Sequence, residues 1–214
     1  MKKRSILFMI MLLFACSLMV IPSRKTYAAS AKSKAIKAYK KKLSKSTVAV
    51  FPKGLKVYDE FWEPPISYKS TKSSQVTFAL AYITKDNVPE LIIKDPKYGY
   101  ALFTYKKGKV KRLQYCDNYD FPGGYYKKKG IYLGYASTEG SVGYDMYYKV
   151  TSSKVKRVMN VTFSDEESPR YEVNSKEVSA SQFKKARKSY VGKTKLTKIK
   201  MRKNTKANRK KYMK

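Results

Sequence analysis

The 214-residue sequence has no histidine, only two cysteines, and 15 acidic residues against 48 lysines and arginines. Histidine is the side chain that most often serves as general base, zinc ligand or partner of a nucleophilic serine or cysteine, so its absence weighs against most catalytic functions. Cys16 lies in an apolar N-terminal run, which leaves Cys116 alone in the rest of the chain and rules out a disulfide framework there. No glycine-rich phosphate loop, zinc-ligand spacing or dinucleotide fingerprint is present, and Gly123-Gly124 reads as an ordinary turn signal. The shortage of acids leaves a net charge of +33. Such a charge repels itself in a compact state and draws polyanions.

What is present begins with the three-part plan of a secretory signal: Lys2, Lys3 and Arg4, an apolar run over 6–21, and small residues Thr26 and Ala28 before a cleavage point. Residues 1–28 are therefore expected to be removed, so that the exported chain starts at Ala29 with a net charge of +28 and no membrane span. Two alternatives stand beside this reading, an uncleaved anchor and lipidation of Cys16 in Leu13-Phe14-Ala15-Cys16. The remaining 186 residues suit one domain over 29–177, followed by a basic helix and extension over 178–214.

An apolar stripe of Ala35, Ile36, Tyr39 and Leu43 among lysines predicts a helix over 31–44. Residues 46–74, broken by Pro52-Lys53-Gly54 and Pro64-Pro65, read as a long irregular connection pinned to the core by Phe61 and Trp62. Strand-like segments follow at 76–83, 91–94, 100–105, 110–115, 125–127, 131–136, 142–150, 155–163 and 171–173. Tight turns such as Lys106-Lys107-Gly108-Lys109 imply that they form an antiparallel meander. Ser179 and Gln182 then make a capping box, Val178 and Phe183 a hydrophobic staple, and Gly192 closes a helix ending near Tyr190. Asn204 is placed to cap a last helical turn. The expected class is α+β, an antiparallel meander of about six to eight short strands flanked by an N-terminal and a C-terminal helix.

Residues 78–91, Phe78-Ala79-Leu80-Ala81-Tyr82-Ile83-Thr84-Lys85-Asp86-Asn87-Val88-Pro89-Glu90-Leu91, resemble the Asp-rich element ending in Pro-Glu-Leu of secreted FG-GAP/VCBS-like repeat proteins. In those proteins an apolar strand enters an Asp-x-Asp-x-Asp-Gly calcium loop. Here Tyr82 and Thr84 stand at the first two acidic positions, Asp86 keeps the third, and Asn87 replaces the glycine. Calcium takes 6 to 8 oxygens, several of them charged. With Asp86 as the sole remaining acid, neither a metal nor a cofactor is expected. Asp86-Asn87 should instead make a tight turn, with Glu90 facing solvent or a lysine. The Lys-Gly-Lys hairpin, the tyrosine-rich strands and the Asn204-Thr205, Asn208-Arg209 ending resemble lysine-rich secreted proteins of Gram-positive gut bacteria without an assigned activity. That resemblance implies location and carries over no functional residue.

Cys116, beside Asp117 and Asp120, would have only lysine to activate it as a nucleophile, so an inert thiol is expected. Asp117, Asp120, Glu139 and Asp145 would support a small secreted hydrolase only if two of them converged. On 142–150, Tyr144, Met146 and Tyr148 share one face and Asp145, Tyr147 and Lys149 the other, which offers Tyr147 for packing or for stacking on a partner. From residue 178 onward there are 15 cations and no acid. Lys198, Lys200, Arg202, Lys203, Lys206, Arg209, Lys210 and Lys211 are accordingly expected to supply most of the polyanion affinity. The function expected is that of a secreted or envelope-associated noncatalytic protein that holds an anionic cell-wall polymer or another envelope component. A carboxylate-dependent hydrolase and nonspecific extracellular nucleic-acid binding are the alternatives.

Overall fold

Leu91-Ile92-Ile93 is apolar at three consecutive positions, a pattern that suits a strand covered on both faces. The computed structural model describes residues 24–57, 66–116, 120–137, 142–165 and 167–214. In it Leu91 and Ile93 enter one core and Ile92 another. The signal segment up to residue 23, Phe61, Trp62, Asp117 and Glu139 lie outside the described residues.

Helix α1 (Arg24–Leu43) leads into four two-residue strands, β1 (Thr47–Val48), β2 (Lys56–Val57), β3 (Ile66–Ser67) and β4 (Thr71–Lys72). β1 pairs with β4 and β2 with β3. The connection expected to be irregular thus carries two small ribbons. β5 (Thr77–Ala81), β6 (Glu90–Asp95), β7 (Gly99–Lys106) and β8 (Lys109–Cys116) form a first meander. β9 (Asp120–Tyr126), β10 (Ile131–Ser137), β11 (Val142–Val150), β12 (Val155–Ser164), β13 (Arg170–Val173) and β14 (Lys176–Val178) form a second. Helix α2 (Ala180–Val191), β15 (Leu196–Lys198), β16 (Arg202–Lys203) and helix α3 (Lys206–Tyr212) complete the chain.

The strands are more numerous than the expected six to eight, and they divide between two antiparallel sheets. The order is β16-β5-β6-β7-β8 in one and β14-β13-β12-β11-β10-β9-β15 in the other. The mainly antiparallel α+β class stands. The single meander is corrected to two, because the strands of each sheet alternate core residues to both faces and so need cover on both. Four layers result. Ala35, Ile36, Tyr39 and Leu43 of α1 pack on Phe78, Leu91, Ile93, Ala101 and Phe103 of the five-stranded sheet. The opposite face of that sheet meets Tyr125, Tyr132, Met146 and Tyr148 of the seven-stranded sheet. The outer face of the second sheet, with Tyr126, Leu133, Tyr147 and Met159, is covered by Phe183 and Val191 of α2. Tyr147, considered above for stacking on a partner, is buried edge-on against Phe183 with ring centroids 6.0 Å apart.

Local chemistry fixes the joints. Lys107 and Gly108, both at positive φ, make the two-residue turn between β7 and β8, the geometry that matches strand twist. The turn between β9 and β10 bonds the sheets together, Lys128 N donating to Tyr82 O at 2.9 Å and Gly130 N to Ile83 O at 2.8 Å. Gly123 and Gly124 are not a turn but part of β9. A Cβ on Gly124 would stand 2.9 Å from both the Leu196 side chain and the Thr197 carbonyl, so glycine is what lets β15 lie against β9. The capping box of α2 forms as expected, with Gln182 N donating to Ser179 Oγ and Ser179 N to Gln182 Oε1. Ser179→Ala should lower stability by about 1 kcal/mol, read from urea unfolding. No helix among the described residues is long and apolar enough to cross a membrane.

Candidate polyanion-binding surface

The basic C-terminal segment is a strap across the open edge of the sandwich. β15 pairs with β9 at the edge of the seven-stranded sheet, and β16 pairs with β5 at the edge of the other. Between them Ile199 and Met201 pack against the inter-sheet core. Asn204 is buried beneath the strap's end and does not cap α3; Thr205 does, its side chain accepting from Asn208 N at 3.1 Å. Asn204 Nδ2 donates to Leu43 O and Ser73 O, both at 2.9 Å, while its Oδ1 accepts from Arg209 Nη1 at 2.7 Å. Met213 is fully buried in the α1 core.

This arrangement divides the eight cations expected to bind polyanions. Arg209 is engaged with Asn204, and the Arg202 guanidinium lies 4.6 Å from the Tyr212 ring centroid. Both are half-buried. Lys198, Lys200, Lys203, Lys206, Lys210 and Lys211 are exposed.

A second set of lysines, unremarked in the sequence because it is assembled from distant segments, lines three depressions of about 450 to 510 Å³. Lys41 and Lys42 of α1 and Lys45 just after it line the first, together with Gly108 of the β7–β8 turn. Lys34, Lys106 and Lys107 line the second, which Gly108 also borders. Lys85, Lys129 and Lys149 line the third. Lys42 is the most constrained of these cations. Its ammonium lies 4.6 Å from the Phe103 ring centroid and 3.4 Å from Ala49 O. Burial, then the neighbouring Arg112 and Lys45 charges, bring its pKa down to about 8. Arg112 is spent on the fold, donating to Val50 O at 2.7 Å and also to the carbonyls of Ala49 and Phe51.

The calcium-type loop sits beside these lysines. Asp86 is exposed and accepts from Val88 N at 3.0 Å, with Asn87 at a φ of 61°, so the tight turn is present. Glu90, expected to face solvent or a lysine, is instead 1% exposed. Its Oε2 accepts from Ile83 N at 3.0 Å, and Thr84 Oγ1 lies 2.7 Å from Glu90 Oε1 and 2.9 Å from Asp86 Oδ1. One threonine proton cannot serve two carboxylates. A neutral Glu90 that donates to Thr84, which in turn donates to Asp86, satisfies all three groups. Burial, opposed by the Thr84 and Ile83 bonds and reinforced by Asp86, raises the Glu90 pKa to about 7. Among the described residues no group of three or more acids or cysteines is gathered to hold a metal ion.

Of the acids considered for hydrolysis, Asp145 is half-buried; burial raises its pKa while Arg187 of α2 lowers it. Arg187 also donates to Tyr126 Oη at 3.0 Å. The described side chains thus bring Asp145 to a guanidinium rather than to a second carboxyl. Cys116 is buried in the inter-sheet core. No protein-family model, curated protein or solved structure matches the chain.

Proposed function

We propose that the protein is exported and works without catalysis at the cell envelope or outside the cell, holding anionic polymers through its lysine surface. The observation that carries this reading is where three of the described acids go, set against the exposed lysines. Glu90 and Asp95 are buried on hydroxyls and backbone amides, Thr71 donating to Asp95 and Thr84 lying against Glu90, and Glu167 pairs with Arg170. The strap lysines and most of those around the depressions remain turned to water. A fold with both sheet faces covered needs no such excess of cations for its own packing, whereas counterion release on a polyanion uses it directly.

Binding to purified cell walls should be steeply salt-dependent. Affinity is expected to fall by roughly 1,000-fold or more between 50 and 200 mM salt, as for about six or more neutralised anionic groups. Co-sedimentation across a salt series measures this, and an affinity indifferent to salt would reject the reading. Export is tested separately: N-terminal sequencing of protein from culture medium should start at Ala29. A form beginning at Cys16 would show lipidation instead.

A further inference from the structure

The three lysine-lined depressions are contiguous. The first and second share Gly108, and the second and third share Asp86 and Ser152. Lys106 Nζ donates to Ser152 Oγ at 3.2 Å, joining the β7–β8 turn of one sheet to the β11–β12 turn of the other beneath the shared stretch. One flank is a stripe of α1 at helical spacing, Lys34, Ala38, Lys41 and Lys42, continued by Lys45 just past the helix end. At 1.5 Å per residue the helical part of that stripe, Lys34 to Lys42, is about 12 Å long. The path then passes Asp86 and reaches the ends of β10 and β11. Nine lysines line it, with Asp86 as the one acid and no arginine.

The lining also says which polyanion fits. Nucleic-acid channels alternate cations with rings on which successive bases stack. Here the first depression has no aromatic lining residue, and the other two have one each, Tyr105 and Tyr190. The remaining lining is small or hydroxylated, including Ser30, Ala31, Ala38, Thr47 and Ser70. Lysine supplies a point charge without the planar fork with which arginine reads phosphates bidentately or stacks on bases. The strap lysines, by contrast, line none of these three depressions.

We propose that these depressions form one groove, and that it seats a linear phosphodiester polymer lacking bases, lying lengthwise along α1 and across the two turns. The proposal rests on the polyanion reading above and names its site and ligand class. Lys42 gives it a second signature. A bound phosphate would favour the charged ammonium, so complexation near pH 8 should draw in a proton.

The test uses the parent protein and two variants of equal net charge. In one, Lys34, Lys41, Lys45, Lys107 and Lys129 are changed to Gln; in the other, Lys198, Lys200, Lys203, Lys206 and Lys210 are. All ten are exposed, and circular dichroism is used to check that each variant is folded. The probe is polyglycerol phosphate, titrated calorimetrically over a salt series, with oligothymidylate of equal charge alongside. The groove variant should lose roughly 100-fold in affinity at low salt, and its log–log salt slope should shrink by about 3; the strap variant should stay within about threefold of the parent. At pH 8 the heat should vary with the ionisation enthalpy of the buffer, and in Lys42→Met that variation should vanish. Equal losses in both variants, or a larger loss in the strap variant, would overturn the groove while leaving polyanion binding intact. A parent that binds neither probe would overturn both readings. Oligothymidylate bound tenfold more tightly than polyglycerol phosphate would overturn the choice of ligand.

Discussion

Asn204→Ala is expected to lower the unfolding free energy by about 3 to 5 kcal/mol. At this chain length that is on the order of 10 °C in melting temperature. The Asn204 amide ends two otherwise separate backbone problems. Leu43 O is one of the last carbonyls of α1 and has no partner within its helix, and Ser73 O closes the connection before β5. Removing the amide leaves both carbonyls without this donor in a site from which water is excluded, and leaves Arg209 without its acceptor on the side chain. Asn204→Asp should be worse than Ala at neutral pH, since it sets a carboxylate oxygen against two carbonyls and Arg209 can answer on one side only. Asn208→Ala is the control. Its side chain donates to Lys203 O on the exposed side, and its loss should cost under about 1 kcal/mol. Urea unfolding of the three variants orders them. Parity of Asn204→Ala with Asn208→Ala would mean that the strap's end does not anchor the sandwich.

Asn204 also shows which parts of this molecule are legible in the sequence. Elements specified by neighbours in the chain were readable. The capping box needs only Ser179 and Gln182, and the β7–β8 turn needs only positive φ at Lys107 and Gly108, adjacent residues. The α1 stripe and the alternation along β11 were likewise visible as periods. Elements specified by distant partners were not. Asn204 has the composition of a helix cap, and only the approach of Leu43 and Ser73, more than a hundred residues away, turns it into a buried tie. Gly123-Gly124 has the composition of a turn. What makes it a strand is β15 arriving on one side and the Tyr135 ring on the other. The candidate surface divides in the same way. The strap's charge is a run in sequence, while the groove's nine lysines come from α1 and the bend after it, the turns that follow β5, β7 and β9, and the end of β11, and no local pattern groups them.

Glu90→Gln is expected to abolish a pH dependence of stability worth on the order of 3 kcal/mol between about pH 4.5 and pH 7. The folded pKa, about 7, lies above the ordinary value of 4.5. Over that interval the native chain holds a proton that the unfolded chain has released, so stability falls as pH rises. The contribution is complete below about 4.5 and lost as pH climbs through about 7. The groups that face Glu90 reinforce this direction. Asp86 disfavours its ionisation, and the Tyr39 and Tyr125 hydroxyls, whose own ionisation Glu90 opposes, stay neutral. Glutamine keeps an oxygen for Ile83 N and offers an N–H to Thr84, so it reproduces the neutral acid without its titration. Wild type and variant should therefore be nearly equal in stability at pH 4.5, and the variant should be the more stable at pH 8. Asp86→Asn should reduce the wild-type slope without removing it, because burial is the larger cause. Urea unfolding at half-unit pH steps measures all three proteins. Parallel curves for wild type and Glu90→Gln would mean that Glu90 is ionised throughout and that Thr84 donates its single proton to Glu90, leaving Asp86 only the backbone amide of Val88.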